Sequence, residues 1–166
     1  MSTQSQISGW LVGRLPADWF VAAPEVIVDR DEITIIGTLA APEAIDGADP
    51  DEAAAGRIKR WREETRDQRI RIARELERKY ERKVAWGAAI GEHRQTFTHL
   101  AIPAMTRLRQ PERLVLDTLV DAGVARSRAE ALAWCVRLVG QHEDDWLVSL
   151  REALASVDEV RGQGPS

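Results

Sequence analysis

Apolar residues alternate or run together in some stretches of this chain and recur every three or four positions in others. The changes of period mark its elements. Residues 1–8 are polar and predict a frayed start. Trp10 to Leu15, stopped by Pro16, predicts a first strand. Val26-Ile27-Val28 and Ile33-Thr34-Ile35-Ile36 are β-branched runs on either side of Asp29-Arg30-Asp31-Glu32, the pattern of a β-hairpin with a charged loop. Gly37 then marks a bulge or the end of the strand. From Arg57 to Lys83 the period lengthens. Ile58, Trp61, Thr65, Ile72, Leu76 and Tyr80 fall on one helical face, with a polar gap at Gln68, and no proline or glycine interrupts after Gly56. This predicts one long charged helix of roughly 40 Å, dry along a narrow stripe and wet elsewhere. Val84, Trp86, Ala88 and Ile90 alternate again. With 94–100 beyond Gly91-Glu92-His93 they predict a second hairpin.

The remainder is predicted helical. Leu114, Leu116, Leu119 and Val120 follow Pro111-Glu112 and end at Gly123, a residue suited to a left-handed helix end. Ser127 with Glu130 three residues on has the form of a capping box, ahead of Ala131, Leu132, Cys135, Leu138 and Val139. Glu143-Asp144-Asp145 open a last helix carrying Trp146, Leu147, Leu150, Leu154 and Val157. The expected fold class is α+β: an antiparallel sheet of two hairpins with the long charged helix laid across it, followed by a C-terminal helical region. The segments read as an N-terminal β region (1–39), a flexible acidic linker or loop (40–56), the basic helix plus hairpin (57–100), the helical region (101–160) and a disordered tail (161–166). The alternative for the linker is that its last part, from Pro50, already belongs to the helix.

The stretch from Arg107 to Val139 resembles the ribbon-helix-helix (MetJ/Arc-like) DNA-binding family. The resemblance lies in Arg107-Leu108, the leucine-rich run from Glu112 to Ala122, and Ser127-Arg128-Ala129-Glu130-Ala131-Leu132, about a fifth of the chain. It implies a homodimer whose paired strands enter the major groove. On that footing Met105, Arg107 and Arg109 face the bases, and Ser127 and Arg128 sit at a backbone phosphate, as helix N-termini can. The alternative is an ordinary helical hairpin packed on the rest of the protein.

Charge sharpens this picture. The 166 residues carry a net charge of −4, but unevenly. Residues 1–56 hold Arg14 and Arg30 against ten acids, net −8; 57–83 hold twelve bases against six acids, net +6; 84–166 hold nine against eleven, net −2. Overall acidity argues against coating nucleic acid by bulk charge, yet leaves room for a local basic face. On the basic helix Asp67 with Arg71 and Glu75 with Lys79 are favourable four-residue pairs. Arg62 with Arg66, and Arg74 with Arg78 and Arg82, are like-charge rows. Those rows make Arg71, Arg74, Arg78 and Arg82 candidates for phosphate contact. The plainer alternative is a solvated face.

Other chemistry is scarce. His93, His99 and His142 have no metal-ligand spacing, the lone Cys135 lies on an apolar helix face and allows no disulfide within the chain, and no phosphate-loop or dinucleotide motif occurs. No metal, no cofactor and no catalytic residue is expected. No apolar run is long enough for a bilayer and MSTQSQIS lacks the form of a secretory leader, so a cytoplasmic, non-membrane location is expected. Six tryptophans are present; Trp10, Trp86, Trp134 and Trp146 suit core or interface positions, and Trp61 suits helix–sheet packing. The leading expectation is a non-enzymatic DNA-binding homodimer with a regulatory role in transcription. The rival is a protein-interaction or assembly module whose basic helix holds an acidic partner. A third reading is a small-ligand-binding or enzymatic domain with the sheet as a pocket floor. The leading reading requires Met105, Arg107 and Arg109 on a paired strand sharing a surface with Arg128; the rival requires 104–122 to be helical.

Overall fold

A computed structural model of the chain describes residues 3–44 and 46–162. It divides into two compact units, Met1–Pro103 and Ala104–Ser166. The first contains α1 (Thr3–Arg14), β1 (Glu25–Val28), β2 (Glu32–Thr38), α2 (Pro50–Glu64), α3 (Arg66–Tyr80), β3 (Lys83–Ile90) and β4 (His93–Thr96). The second contains α4 (Gln110–Asp121), α5 (Arg128–His142) and α6 (Asp144–Gly162). The class is α+β with a C-terminal helical region, as the sequence suggests. No described helix is long and apolar enough to cross a membrane.

Both hairpins are present, in a four-stranded sheet of order β1-β2-β3-β4. The sheet is not wholly antiparallel, however. β2 and β3 run parallel, with Ile33 opposite Val84, Ile35 opposite Trp86 and Gly37 opposite Ala88. The reason is the helical segment between the hairpins. It returns the chain to the end of the sheet where β2 began, so β3 starts beside the start of β2, and parallel neighbours require such a crossover.

The register assigns the faces. Val26, Ile33, Ile35, Leu39, Trp86, Ala88 and Ile90 point to one side and join Ile7, Leu11, Ile58, Trp61, Ile72 and Leu76 of the helices in a single core. The opposite face carries Ile27, Thr34, Ile36, Ala85, Gly87 and Ala89. Glu25 on one edge strand and Arg94 on the other bond across that face at 2.7 and 3.1 Å.

Of the stretch from Trp10 to Leu15, all but Leu15 is helical rather than a strand. Ile7 and Leu11, one turn apart, are both fully buried while Val12 is exposed, which is a helical and not an alternating pattern. The polar start is built into the unit: residues 3–8 belong to α1, and Gln4 Nε2 donates to the Val26 carbonyl at 2.7 Å. Residues 1 and 2 lie outside the described residues. Arg14 grips Glu75 of α3 through two hydrogen bonds of 2.7 Å, and this contact holds the Glu75 carboxyl below its ordinary range. The expected Glu75–Lys79 pair is thereby replaced.

The linker is shorter than composition suggests. Asp49 accepts from the Asp51 N–H at 2.9 Å, Pro50 takes the first helical position, and α2 begins there. The expected single long helix is two helices joined at Thr65. The Thr65 hydroxyl donates back to the Trp61 carbonyl at 2.6 Å, a bond that competes with regular helix geometry and favours a bend. α3 ends at Glu81, whose φ of 53° is left-handed, so Arg82 lies past the helix.

Gly37 is a packing site within β2, neither a bulge nor the strand's end. A β-carbon there would fall 1.9 Å from Cε1 of Phe20. The Phe20 ring lies 5.4 Å from Trp61, which in turn meets Trp19 at 5.4 Å.

In the second unit α4 and α5 form the expected hairpin. The Ser127 hydroxyl accepts from the Glu130 N–H at 3.2 Å, and Gly123 adopts φ 74° between the helices. Leu116, Ala125 and Ala131 are buried, with Leu108, Leu119, Val120, Leu132 and Cys135 packed around them. Trp134 is half-buried, whereas Trp146 is 58% exposed. Of the expected tail, 161 and 162 close α6, and 163–166 lie outside the described residues.

Replacing Gly37 by alanine is expected to displace the Phe20 ring and cost about 1–3 kcal/mol, the usual penalty for overpacking. Urea unfolding followed by tryptophan fluorescence reads this directly, and an unchanged midpoint would refute the packing role.

A candidate anion-binding groove

The bend at Thr65 sets up the most distinctive chemistry in the first unit. Residues on the buried stripe of α2 and α3 pack on the sheet, and Arg69 falls on that stripe, two turns after Trp61 and one before Ile72. Its side chain is therefore carried inward, to 7% exposure. Nε donates to the Thr65 hydroxyl at 3.0 Å, and Nη2 donates to the Arg62 carbonyl at 2.6 Å, in the last turn of α2 where helix carbonyls lack partners. The guanidinium carbon lies 5.3 Å from the Trp61 ring centre and 5.1 Å from that of Phe97. Arg62 approaches the same Phe97 ring at 5.2 Å. Rings attract cations through their electron-rich faces, which helps to hold both guanidiniums.

No carboxylate pairs with Arg69 among the described residues. Burial, with the charges of Arg62 and Arg66 acting in the same direction, pushes its pKa down to about 10. Lys59, Arg62, Arg66 and Arg69 line one side of a groove of about 800 Å³, and Gln95, Phe97 and Thr98 line the other. Glu52 and Glu63 also reach it, so the lining is mixed but cationic in balance. A concave site with several convergent cations, one of them buried against like charge, favours an anion.

The predicted phosphate-contacting residues separate. Arg71, Arg74 and Arg78 are exposed on α3 and make no ion pair among the described residues; Asp67, expected to meet Arg71, instead approaches Arg66 at 3.9 Å. Arg78 Nε donates to the Arg74 carbonyl at 3.2 Å. Arg82 does not continue the row, because α3 has ended. Its Nε lies 3.4 Å from the Arg30 carbonyl.

In the second unit Met105 and Arg107 lie in a segment, 101–109, that is neither strand nor helix, and Met105 is fully exposed. Arg109 stands in extended geometry at the start of α4, its N–H donating to the Glu112 carboxylate. Neither the paired strand of the leading reading nor the helical 104–122 of its rival is present. Met105 and Arg128 do line one shallow depression, with Leu108, Arg113, Leu116 and Leu132. Arg128, expected at a phosphate, is bound by Asp117 at 2.6 and 2.7 Å. The Ser127 hydroxyl is spent on capping α5.

The sequence singles out Arg62 with Arg66 as a like-charge row but does not bring Arg69, Lys59, Gln95, Phe97 and Thr98 together with them. A signal was present: an arginine at the position where the apolar stripe should continue. The gap was assigned to Gln68, whose side chain is exposed.

Two family models match the chain. Residues 5–96 match the N-terminal domain of Rv1265-like proteins, and residues 109–161 match the Mb1296 C-terminal domain. The chain is 56% identical over 160 residues to "Uncharacterized protein Mb1296" of Mycobacterium bovis and to "Uncharacterized protein Rv1265" of Mycobacterium tuberculosis strain H37Rv. In each case the match covers 94% of this chain and 69% of the relative. The chain belongs to the Rv1265-like family. No solved structure matches it. The two matched segments fall on either side of the boundary between the two units.

Changing Arg71, Arg74 and Arg78 together to glutamine is expected to leave stability nearly unchanged, within about 0.5 kcal/mol per site, because these side chains make no ion pair. A thermal melt tests this. A large loss would show that the row is structural and not available to a partner.

Proposed function

We propose that the protein binds DNA as a homodimer and acts as a cytoplasmic regulator of transcription. The observation that carries this reading is the exposed row Arg71, Arg74 and Arg78, which makes no ion pair among the described residues. Arg14, Arg94, Arg126 and Arg128 are instead each engaged by a carboxylate. Arginines with no carboxylate partner among the described residues, set along one helix, suit a phosphate backbone, which supplies affinity without sequence preference. The resemblance of the second unit to ribbon-helix-helix proteins adds a reading element. Met105 and Arg107 lie in an irregular segment that leads to Arg109 in extended geometry, with no strand partner among the described residues; on this reading a second copy pairs with it.

Dimerisation is supported by the apolar surface of the second unit. Among its described residues Leu116, Ala125 and Ala131 are the buried apolar side chains, whereas Leu114, Val115, Val136, Val139, Trp146 and Leu154 are exposed. Exposed apolar side chains in that number suit a surface that a second copy covers. Sedimentation equilibrium at micromolar concentration is expected to give about twice 18.6 kDa. A monomer throughout that range would remove the ribbon-helix-helix reading, since a single such chain has no complete core.

DNA retention at low salt is expected to fall steeply as salt rises, because each neutralised phosphate releases counterions. Changing Arg71, Arg74, Arg78 and Arg82 to glutamine should weaken binding similarly for all sequences and flatten the salt slope. Changing Arg107 and Arg109 should instead reduce sequence preference, by about 1–3 kcal/mol for each lost bidentate base contact. If the wild type shows no retention, the arginine row belongs to an acidic protein partner or to solvent, and the DNA reading fails.

A further inference from the structure

The outer arginine row and the groove at Arg69 are separate surfaces, and the groove has the shape of a small-molecule site. Its volume of about 800 Å³ matches the range in which proteins enclose drug-sized ligands. Three guanidiniums, of Arg62, Arg66 and Arg69, converge on it. Two of them are positioned before any ligand arrives: Arg69 by Thr65, the Arg62 carbonyl and two rings, and Arg62 by the Phe97 ring. Fixed guanidiniums suit phosphate oxygens, because planar N–H pairs match their spacing and little freedom is lost on binding. Gln95 and Thr98 on the strand side add an amide and a hydroxyl, and Glu52 and Glu63 add acceptors for hydroxyl or amino groups.

We propose that this groove binds a phosphorylated small molecule of nucleotide size, with its phosphate groups on Arg62, Arg66 and Arg69. An anion there supplies the counter-charge that the buried Arg69 lacks among the described residues. The inference does not depend on DNA binding, which is read through other arginines.

The test uses the full chain, inorganic pyrophosphate and a nucleoside triphosphate, with sodium chloride at matched ionic strength as reference. Both probes should raise the unfolding temperature saturably, by on the order of 5 °C at ten times the dissociation constant. Arg69→Met should weaken binding about ten-fold or more. Arg62→Gln, which alters an exposed side chain whose contact is with Phe97, should weaken it too and guards against misfolding of the first variant. No rise beyond the chloride reference overturns the proposal, as does a rise that survives both substitutions. A third arm uses a DNA duplex. If the two substitutions abolish duplex retention while neither small probe raises the unfolding temperature, the phosphate comes from nucleic acid and the small-molecule proposal is also overturned.

Discussion

The first unit depends on a guanidinium in its core. Trp61 is the centre of the packing between helices and sheet, touching Trp19, Phe20 and Phe97, and Arg69 lies over its ring. Moving a charge out of water costs several kcal/mol even after relaxation. Hydrogen bonds from a charged donor return about 1.5–3 kcal/mol each, and ring contacts about 0.5–2. Arg69 makes two of each, so the internal contacts offset a cost of their own order without any carboxylate. The same bonds fix the geometry. Thr65 is held between Trp61 and Arg69, the end of α2 is capped, and Phe97 is held beyond the end of β4. Helix bend, aromatic cluster and groove meet at one buried side chain.

The parts of this fold that local pattern determines were legible in the sequence. β-branched runs around a charged loop identified the first hairpin, strict alternation at Val84, Trp86, Ala88 and Ile90 the second, and Ser127 with Glu130 the start of α5. Parallel pairing of β2 with β3 was not legible. It depends on where a crossover delivers the chain, and no residue in either strand records that. The bend at Thr65 escaped because threonine is an ordinary, if weak, helix residue, and its disruptive bond is made to a carbonyl and not to another side chain. Trp10 to Leu15 misled because the residues that show helical period include Ile7, inside a stretch read as frayed.

The candidate site was less legible than the fold. Counting charge located the basic helix pair but could not sort its members. Arg71, Arg74 and Arg78 face solvent, Arg82 is past the left-handed Glu81, and Arg69 is inside. A one-residue difference in which position fills the apolar stripe, Gln68 or Arg69, separates a solvated face from a groove. In the second unit, Arg128 opens α5 but is already held by Asp117. The carboxylate of Asp117, one helix away, is a partner that the Ser127-Arg128 motif alone does not reveal.

The parallel ladder also governs when the first unit becomes stable. Ile35 and Trp86 are neighbours in space but about fifty residues apart in the chain. The β1–β2 hairpin forms from local contacts, yet a lone hairpin is marginal in water. α1 already packs on part of its inner face, but the rest stays uncovered until α2, α3 and β3 arrive. Joining ends so distant costs loop entropy before the ladder returns anything, and folds rich in such contacts form slowly. During synthesis, the β-branched residues of β2 therefore wait unprotected while nearly fifty more residues are made. Speed of translation through α2 and α3 then sets how long that edge is open to wrong partners.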